Sequence, residues 1–215
     1  MKILHFGHSS SASLHQPHKY LIMAKLIISE HQHHGYASRT YENVRLADVT
    51  MRFAEDFTTF GEKATKNACK LHKKHLIDIP LDRALSFRVD DLSKPMIRLA
   101  RYADKLSLCI NIAGNGIYRL SCEQKQLDNH LTTFLTTLIS NFSLLAFPYQ
   151  DLTFRSGGQS GADEAGIKAA LMMGYEAEIL APKGWIFRDK EHHEVHGKDA
   201  FCARFEGYGA EVITK

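Results

Sequence analysis

The stretch Phe154-Arg155-Ser156-Gly157-Gly158-Gln159-Ser160-Gly161-Ala162-Asp163-Glu164-Ala165-Gly166 decides the fold. Leu152 to Arg155 reads as a short strand, a glycine-rich turn follows, and Ala162 to Met173 reads as a helix. Glycine admits positive φ and lets a ligand reach the main chain with no Cβ in the way. The free N–H groups of a helix start, with the helix dipole, favour an anion by roughly 0.3–1 kcal/mol. A Gly-Gly pair alone reads as a tight turn. Between a strand and a helix, with polar side chains converging, Ser156, Gly157, Gly158, Gln159, Ser160, Gly161 and Asp163 read as an anion-binding loop.

Outward from this unit, short apolar runs alternate with longer amphipathic ones. That pattern predicts an α/β fold, a Rossmann-like doubly wound and mostly parallel sheet with helices on both faces. Strands are expected at Lys2–Phe6, Val49–Ala54, His75–Ile79, Leu106–Ala113, Leu152–Arg155, Ala177–Ala181 and Glu211–Thr214. Helices are expected at Lys19–Ser29, Thr58–Lys73 with Thr58 as its cap, Lys94–Asp104 with Pro95 in the first turn, Glu123–Ser140, Ala162–Met173 and Asp199–Phe205. Residues 83–91 fit neither pattern. With no Gly/Ser linker or low-complexity tract, residues 1–215 read as one domain.

Composition narrows the function classes. The chain has 215 residues, 44% of them hydrophobic and 24% charged, and at this size roughly 70% of the unfolded surface can be buried without disulfides or metals. The formal net charge of +3 is spread out rather than gathered in a basic stripe, so nucleic acid is a disfavoured partner. Four cysteines without CxxC spacing suit a reducing compartment. With no signal peptide and no apolar run of about 20 residues, the expectation is a cytoplasmic protein without a membrane span. A homo-oligomer is compatible with all of this.

In a doubly wound sheet, ligands sit beyond the carboxyl ends of the strands. Gly114-Asn115-Gly116 follows one strand, with Tyr118 placed either to stack on a base or to pack. Ala181-Pro182-Lys183-Gly184-Trp185 follows another, offering Lys183 to a phosphate. A fourth segment runs from Arg39 through Asp48 to Thr58-Thr59-Phe60-Gly61-Glu62. Arg39 suits bidentate recognition of phosphate or carboxylate, and a glutamate such as Glu62 suits acid–base work on a glycosidic bond. By spacing alone, either residue is equally a surface charge. Of thirteen histidines, His31-Gln32-His33-His34 and His192-His193…His196 could chelate a transition metal. Without a partner at fixed spacing they read first as exposed polar loops, with Glu191 and Glu194 keeping the second cluster open.

Taken together, these segments resemble the SLOG superfamily, which includes the DNA-processing DprA/Smf proteins and the Lonely Guy phosphoribohydrolases. Ser156 to Asp163 is similar to the SGGQTGVD signature of its YpsA-like and molybdenum-carrier branches. Ala181-Pro182-Lys183-Gly184 resembles a CPKG element, and Tyr36, Arg39-Thr40, Asn43-Val44 and Ala47-Asp48-Val49-Thr50 resemble the Y-x-x-R-T-x-x-N-V…D-A-T stretch. The resemblance covers about residues 36–188 in circularly permuted order, which leaves 1–35 as an N-terminal addition outside it. It implies a nucleotide or nucleotide-derived anionic small molecule bound at Gly114, Asn115, Gly116, the Ser156 loop, Lys183 and Thr59, with no other cofactor specified. It also implies two alternatives: N-glycosidase or phosphoribohydrolase activity on nucleoside monophosphates, with Arg39 and Glu62 as catalytic residues, or DprA-like DNA binding. Ala54-Glu55-Asp56 stands where the Lonely Guy enzymes carry PGG, and two carboxylates there are expected to repel a phosphate.

Overall fold

A computed structural model of the chain describes residues 24–86, 89–144 and 151–215. Its centre is a seven-stranded sheet in which every strand pairing is parallel. In chain order the strands are β1 (Ala24–Glu30), β2 (Val49–Ala54), β3 (His75–Pro80), β4 (Ser107–Gly114), β5 (Asp151–Ser156), β6 (Glu176–Ala181) and β9 (Ala210–Thr214). Their spatial order is β3-β2-β4-β5-β6-β1-β9. A separate two-stranded hairpin is made of β7 (Phe187–Arg188) and β8 (Glu194–Val195). The helices are α1 (Tyr36–Leu46), α2 (Phe60–Leu71), α3 (Val89–Leu99), α4 (Gln124–Leu144), α5 (Ala162–Met172) and α6 (Lys198–Ala203). This is the Rossmann-like α/β class expected from the alternating pattern.

Alternate residues of a strand face opposite sides of its sheet, and here the two sides differ in chemistry. On β2, Val49, Met51 and Phe53 belong to the main apolar core with Ile110 and Ile112 of β4. Helix α5 covers this face, so closely that a Cβ on Gly166 would lie 2.3 Å from Ile112. Residues 162–171 of α5 are all buried, because α4 packs over its outer side. The intervening residues include the polar Thr50 and Arg52 of β2 and Asn111 of β4. Thr50 accepts a bond from Asn111 at 3.2 Å, and buried Arg52 pairs with Asp78 and Glu62. On this second face α1 presents Arg39 and Asn43, one helical turn apart, and Arg155 of β5 donates to Asn43 at 3.3 Å. Helix α2 closes it, with Glu62 in its first turn.

Several expectations are corrected. The helix expected at Lys19–Ser29 is strand β1 over its described residues: Ala24, Leu26 and Ile28 are buried and Lys25 is exposed, a period of two. It lies inside the sheet between β6 and β9, not at an edge. The strand expected at Lys2–Phe6 lies outside the described residues. Thr59, not Thr58, caps α2 and accepts from the Glu62 N–H; the Thr58 hydroxyl and N–H both go to Asp56. Helix α3 starts at Val89, which puts Pro95 inside it, and ends at Leu99 in a 3-10 turn. Among the described residues no helix is long and apolar enough to cross a membrane.

Candidate functional site

Chain order and spatial order part company at β4. The path from β2 to β3 runs one way, and the path from β4 through β5 to β6 runs the other. Such a switch point leaves a crevice at the carboxyl ends of the two diverging strands. A cavity of about 460 Å³ lies there, walled by Thr59–Glu62 beyond β2 and by Gly114-Asn115-Gly116 and Tyr118 beyond β4. Pro182 and Lys183 beyond β6, Arg39 of α1 and Arg188 of the β7–β8 hairpin complete it. Arg39 lies on α1, a helix not expected from the sequence, Glu62 lies on the helix expected after Thr58, and the two side chains meet in one cavity.

Asn115 organises the deep wall. Its Oδ1 accepts from the Glu55 and Asp56 N–H groups, each at 3.0 Å. Its Nδ2 donates to the Asp56 carbonyl and to Glu62 Oε1, each at 3.1 Å. That is the full capacity of an amide side chain. The expected repulsion at Glu55 and Asp56 therefore takes another form. The Glu55 carboxylate accepts from the Ser121 N–H and hydroxyl, Asp56 accepts from Thr58, and neither lines the cavity. It is the two backbone amides that are occupied, by Asn115.

Glu62 is the buried carboxyl of the wall. It is 3% exposed, and burial pushes its carboxyl up to about 7, against the pull of Arg52. Arg52 Nε lies 3.3 Å from Glu62 Oε2, yet that oxygen accepts no hydrogen bond. A carboxyl poised near neutrality can either give or take a proton.

The Ser156 loop splits between wall and support. Gln159 lines the cavity, while Ser156, Gly157, Gly158, Ser160, Gly161 and Asp163 stand behind it. The Gly158 N–H donates to Ser156 Oγ at 2.9 Å, and the Gly161 N–H to Gln124 at 2.6 Å. The backbone of Gln159 and Gly157 hydrogen-bonds the Asp163 carboxylate, so the chain's own anion sits at the start of α5. Burial raises Asp163 to about 6, opposed by Arg39. Arg39 donates to the Gly157 carbonyl at 2.8 Å, and Arg204 of the segment after α6 donates to the Gly158 carbonyl at 2.7 Å. The two glycine loops are also tied to each other, Ala162 N–H to the Asn115 carbonyl and Ile117 N–H to the Ser160 carbonyl.

The rim is cationic and aromatic. Lys183 and Arg119 have no carboxylate within ion-pair distance among the described residues, whereas Arg188 is paired with Glu194 at 2.8 Å. Tyr36, Phe60 and Tyr118 supply rings. Trp185 does not line the cavity and packs edge-on against Phe201. Arg119, Arg188 and Phe60 escaped sequence reasoning. Two-residue strands carry no readable period, and nothing local marks a side chain that meets the site only through the tertiary fold. Asp189, Glu191 and His193 bring potential metal ligands within 4.8 Å of one another, but Asp189 already accepts from the His193 N–H and faces its Nδ1, closing the hairpin turn.

No family model, curated protein or solved structure matches this chain. The functional reading therefore rests on the geometry of the cavity and on the sequence motifs.

Proposed function

We propose that this chain binds a nucleotide or nucleotide-derived anion in the switch-point cavity, as the resemblance to SLOG domains implies. The observation that carries the reading is the lining itself. Arg39, Arg119, Lys183 and Arg188 stand against Glu62 and Glu194 alone, and Tyr36, Phe60 and Tyr118 stand beside them. Cations meet an anionic group, rings meet a planar one, and a cavity of this size suits a small ligand. Because the amides of Glu55, Asp56, Gly157 and Gln159 already have acceptors within the protein, the ligand's charge falls to the rim cations.

A thermal-shift panel of nucleoside mono-, di- and triphosphates tests this. A ligand at one hundred times its Kd stabilises by about 2.7 kcal/mol, a rise of roughly 5–10 °C for a domain of this size. Reversing charge in the double variant Arg119→Glu/Lys183→Glu should abolish the rise. Absence of any shift at millimolar nucleotide would sink the reading.

A second reading has its own observation, the unbonded Glu62 Oε2 on a carboxyl poised near pH 7. In N-glycosidic hydrolysis the C1′–N bond breaks, the oxygen of water bonds C1′, and a proton passes to the leaving base. Glu62 is placed to relay that proton, with Arg39 positioning the substrate. Free base released from nucleoside monophosphates by the native chain, and not by Glu62→Gln, is the expected result. Equal release by both would remove Glu62 from the chemistry.

A further inference from the structure

Tyr118 and His192 reach the cavity from different parts of the chain and stack face to face. Their ring centroids are 4.2 Å apart and their planes 27° apart. Tyr118 follows β4, and its ring lies close to Gly116, where a Cβ would come within 2.5 Å of Cε1. Glycine at 116 thus leaves room for the ring beside the chain. His192 covers the face on which it stacks.

His192 is held less firmly. It is exposed, and its ring nitrogens make no hydrogen bond among the described residues. Exposure and the absence of a side-chain hydrogen bond lower the cost of swinging the ring away. The backbone beneath it is fixed, however. Lys190, two residues earlier, donates to the carbonyls of Ile117, Leu120 and Cys122, on the segment that carries Tyr118. The two segments therefore do not part. Inserting a third ring between Tyr118 and His192 would need a gap of about 7 Å, two stacking distances of roughly 3.5 Å. Exchange is open where intercalation is not.

We propose that Tyr118 is the stacking platform for a planar heteroaromatic ring, and that His192 covers it until that ring takes its place. This rests on the nucleotide reading and adds the position of the base. The base lies on Tyr118, and the anion falls to the guanidinium groups of Arg119 and Arg188, whose central carbons lie over the ring, 5.8 and 5.9 Å from its centre. Recognition of this kind is tolerant of base identity, because every base offers a π face.

Calorimetric titration with AMP and with ribose 5-phosphate, which lacks a base, tests the assignment. Tyr118→Leu should weaken AMP tenfold or more, and Tyr118→Phe, which keeps the ring but not the hydroxyl beside Arg188, should weaken it far less. His192→Ala removes the competitor and should tighten AMP roughly three- to tenfold. Ribose 5-phosphate should respond to none of the three. Melting curves identify any variant that fails to fold, and His192→Ala lies on an exposed turn where folding is not at stake. Weaker AMP binding in His192→Ala would make His192 a wall of the site and overturn the exchange. AMP binding that ignores Tyr118→Leu would overturn the platform alone. No binding of any nucleoside monophosphate to the native chain would remove the nucleotide reading and this inference together.

Discussion

A Cβ at Gly161 would lie 2.3 Å from the Asn115 carbonyl oxygen and 2.5 Å from the Ile117 nitrogen, and the residue sits at φ +94. Both neighbours are backbone, so neither can swing aside. Gly174 has a similar φ of +80 with nothing within 4 Å of the same atom. Gly161→Ala should therefore cost about 3 kcal/mol or more, and Gly174→Ala only the left-handed penalty of roughly 1–2 kcal/mol. Urea unfolding of the two variants reads the difference, and equal losses would contradict the packing of the two loops. That Gly161 needed to be glycine was legible in the sequence. What it packs against was not, because Asn115 and Gly161 are remote in the chain and meet only when β4 and β5 pair.

Among the elements, the β7–β8 hairpin is attached by few bonds. Gln159 donates to the Ile186 carbonyl at 2.8 Å, Ser160 Oγ donates to the Arg188 carbonyl, and Lys190 reaches three carbonyls. Lys190→Met keeps the apolar stem and removes the charge-assisted bonds, each typically worth about 1.5–3 kcal/mol. Amide exchange across residues 187–195 should speed by roughly ten- to a hundredfold while the global melting temperature barely moves. Unchanged exchange would show that the hairpin is held by its other contacts. The longer elements were readable where one face is apolar, as on β2, α2, α4 and α5. Helix α1 was not read as a helix because its buried stripe is Arg39, Asn43 and Val44, which breaks the apolar signature. β1 was misread because Lys25 and Glu30 sit among apolar residues in a segment too short to separate the two periods.

At the level of the whole molecule, one face of the sheet is oily and the other carries a buried charge network that ends at the cavity. Glu62 and Asp163 both have carboxyls raised by burial, to about 7 and about 6. Between roughly pH 4.5 and 7 the folded chain keeps a proton on Glu62 that the unfolded chain has already lost, so stability falls as pH rises through that window. Asp163 adds the same sign between roughly pH 4 and 6. The Glu62 contribution is on the order of 3 kcal/mol, fully lost above pH 7. Unfolding free energies measured at pH 5, 6, 7 and 8 should show a shallower fall in Glu62→Gln than in the native chain. Parallel curves would mean that Glu62 ionises at its ordinary pH in the fold.

By itself the sequence determined the α/β class, most strand and helix positions, and the glycine-rich turns after β4 and β5. Each of these follows from local periodicity or from a backbone conformation that few residues allow. Only the tertiary structure decided which of the candidate groups meet. It brought Arg39 and Glu62 to one cavity, withdrew Asn115, Asp163 and the loop amides into bonds with one another, and supplied Arg119, Arg188 and His192 to the rim. A side chain's partner depends on strand order and chain crossover, and no spacing along the chain records that. The loop from Ser156 to Asp163 is written in the sequence. That its helix start is already occupied by the chain's own carboxylate is written only in the fold.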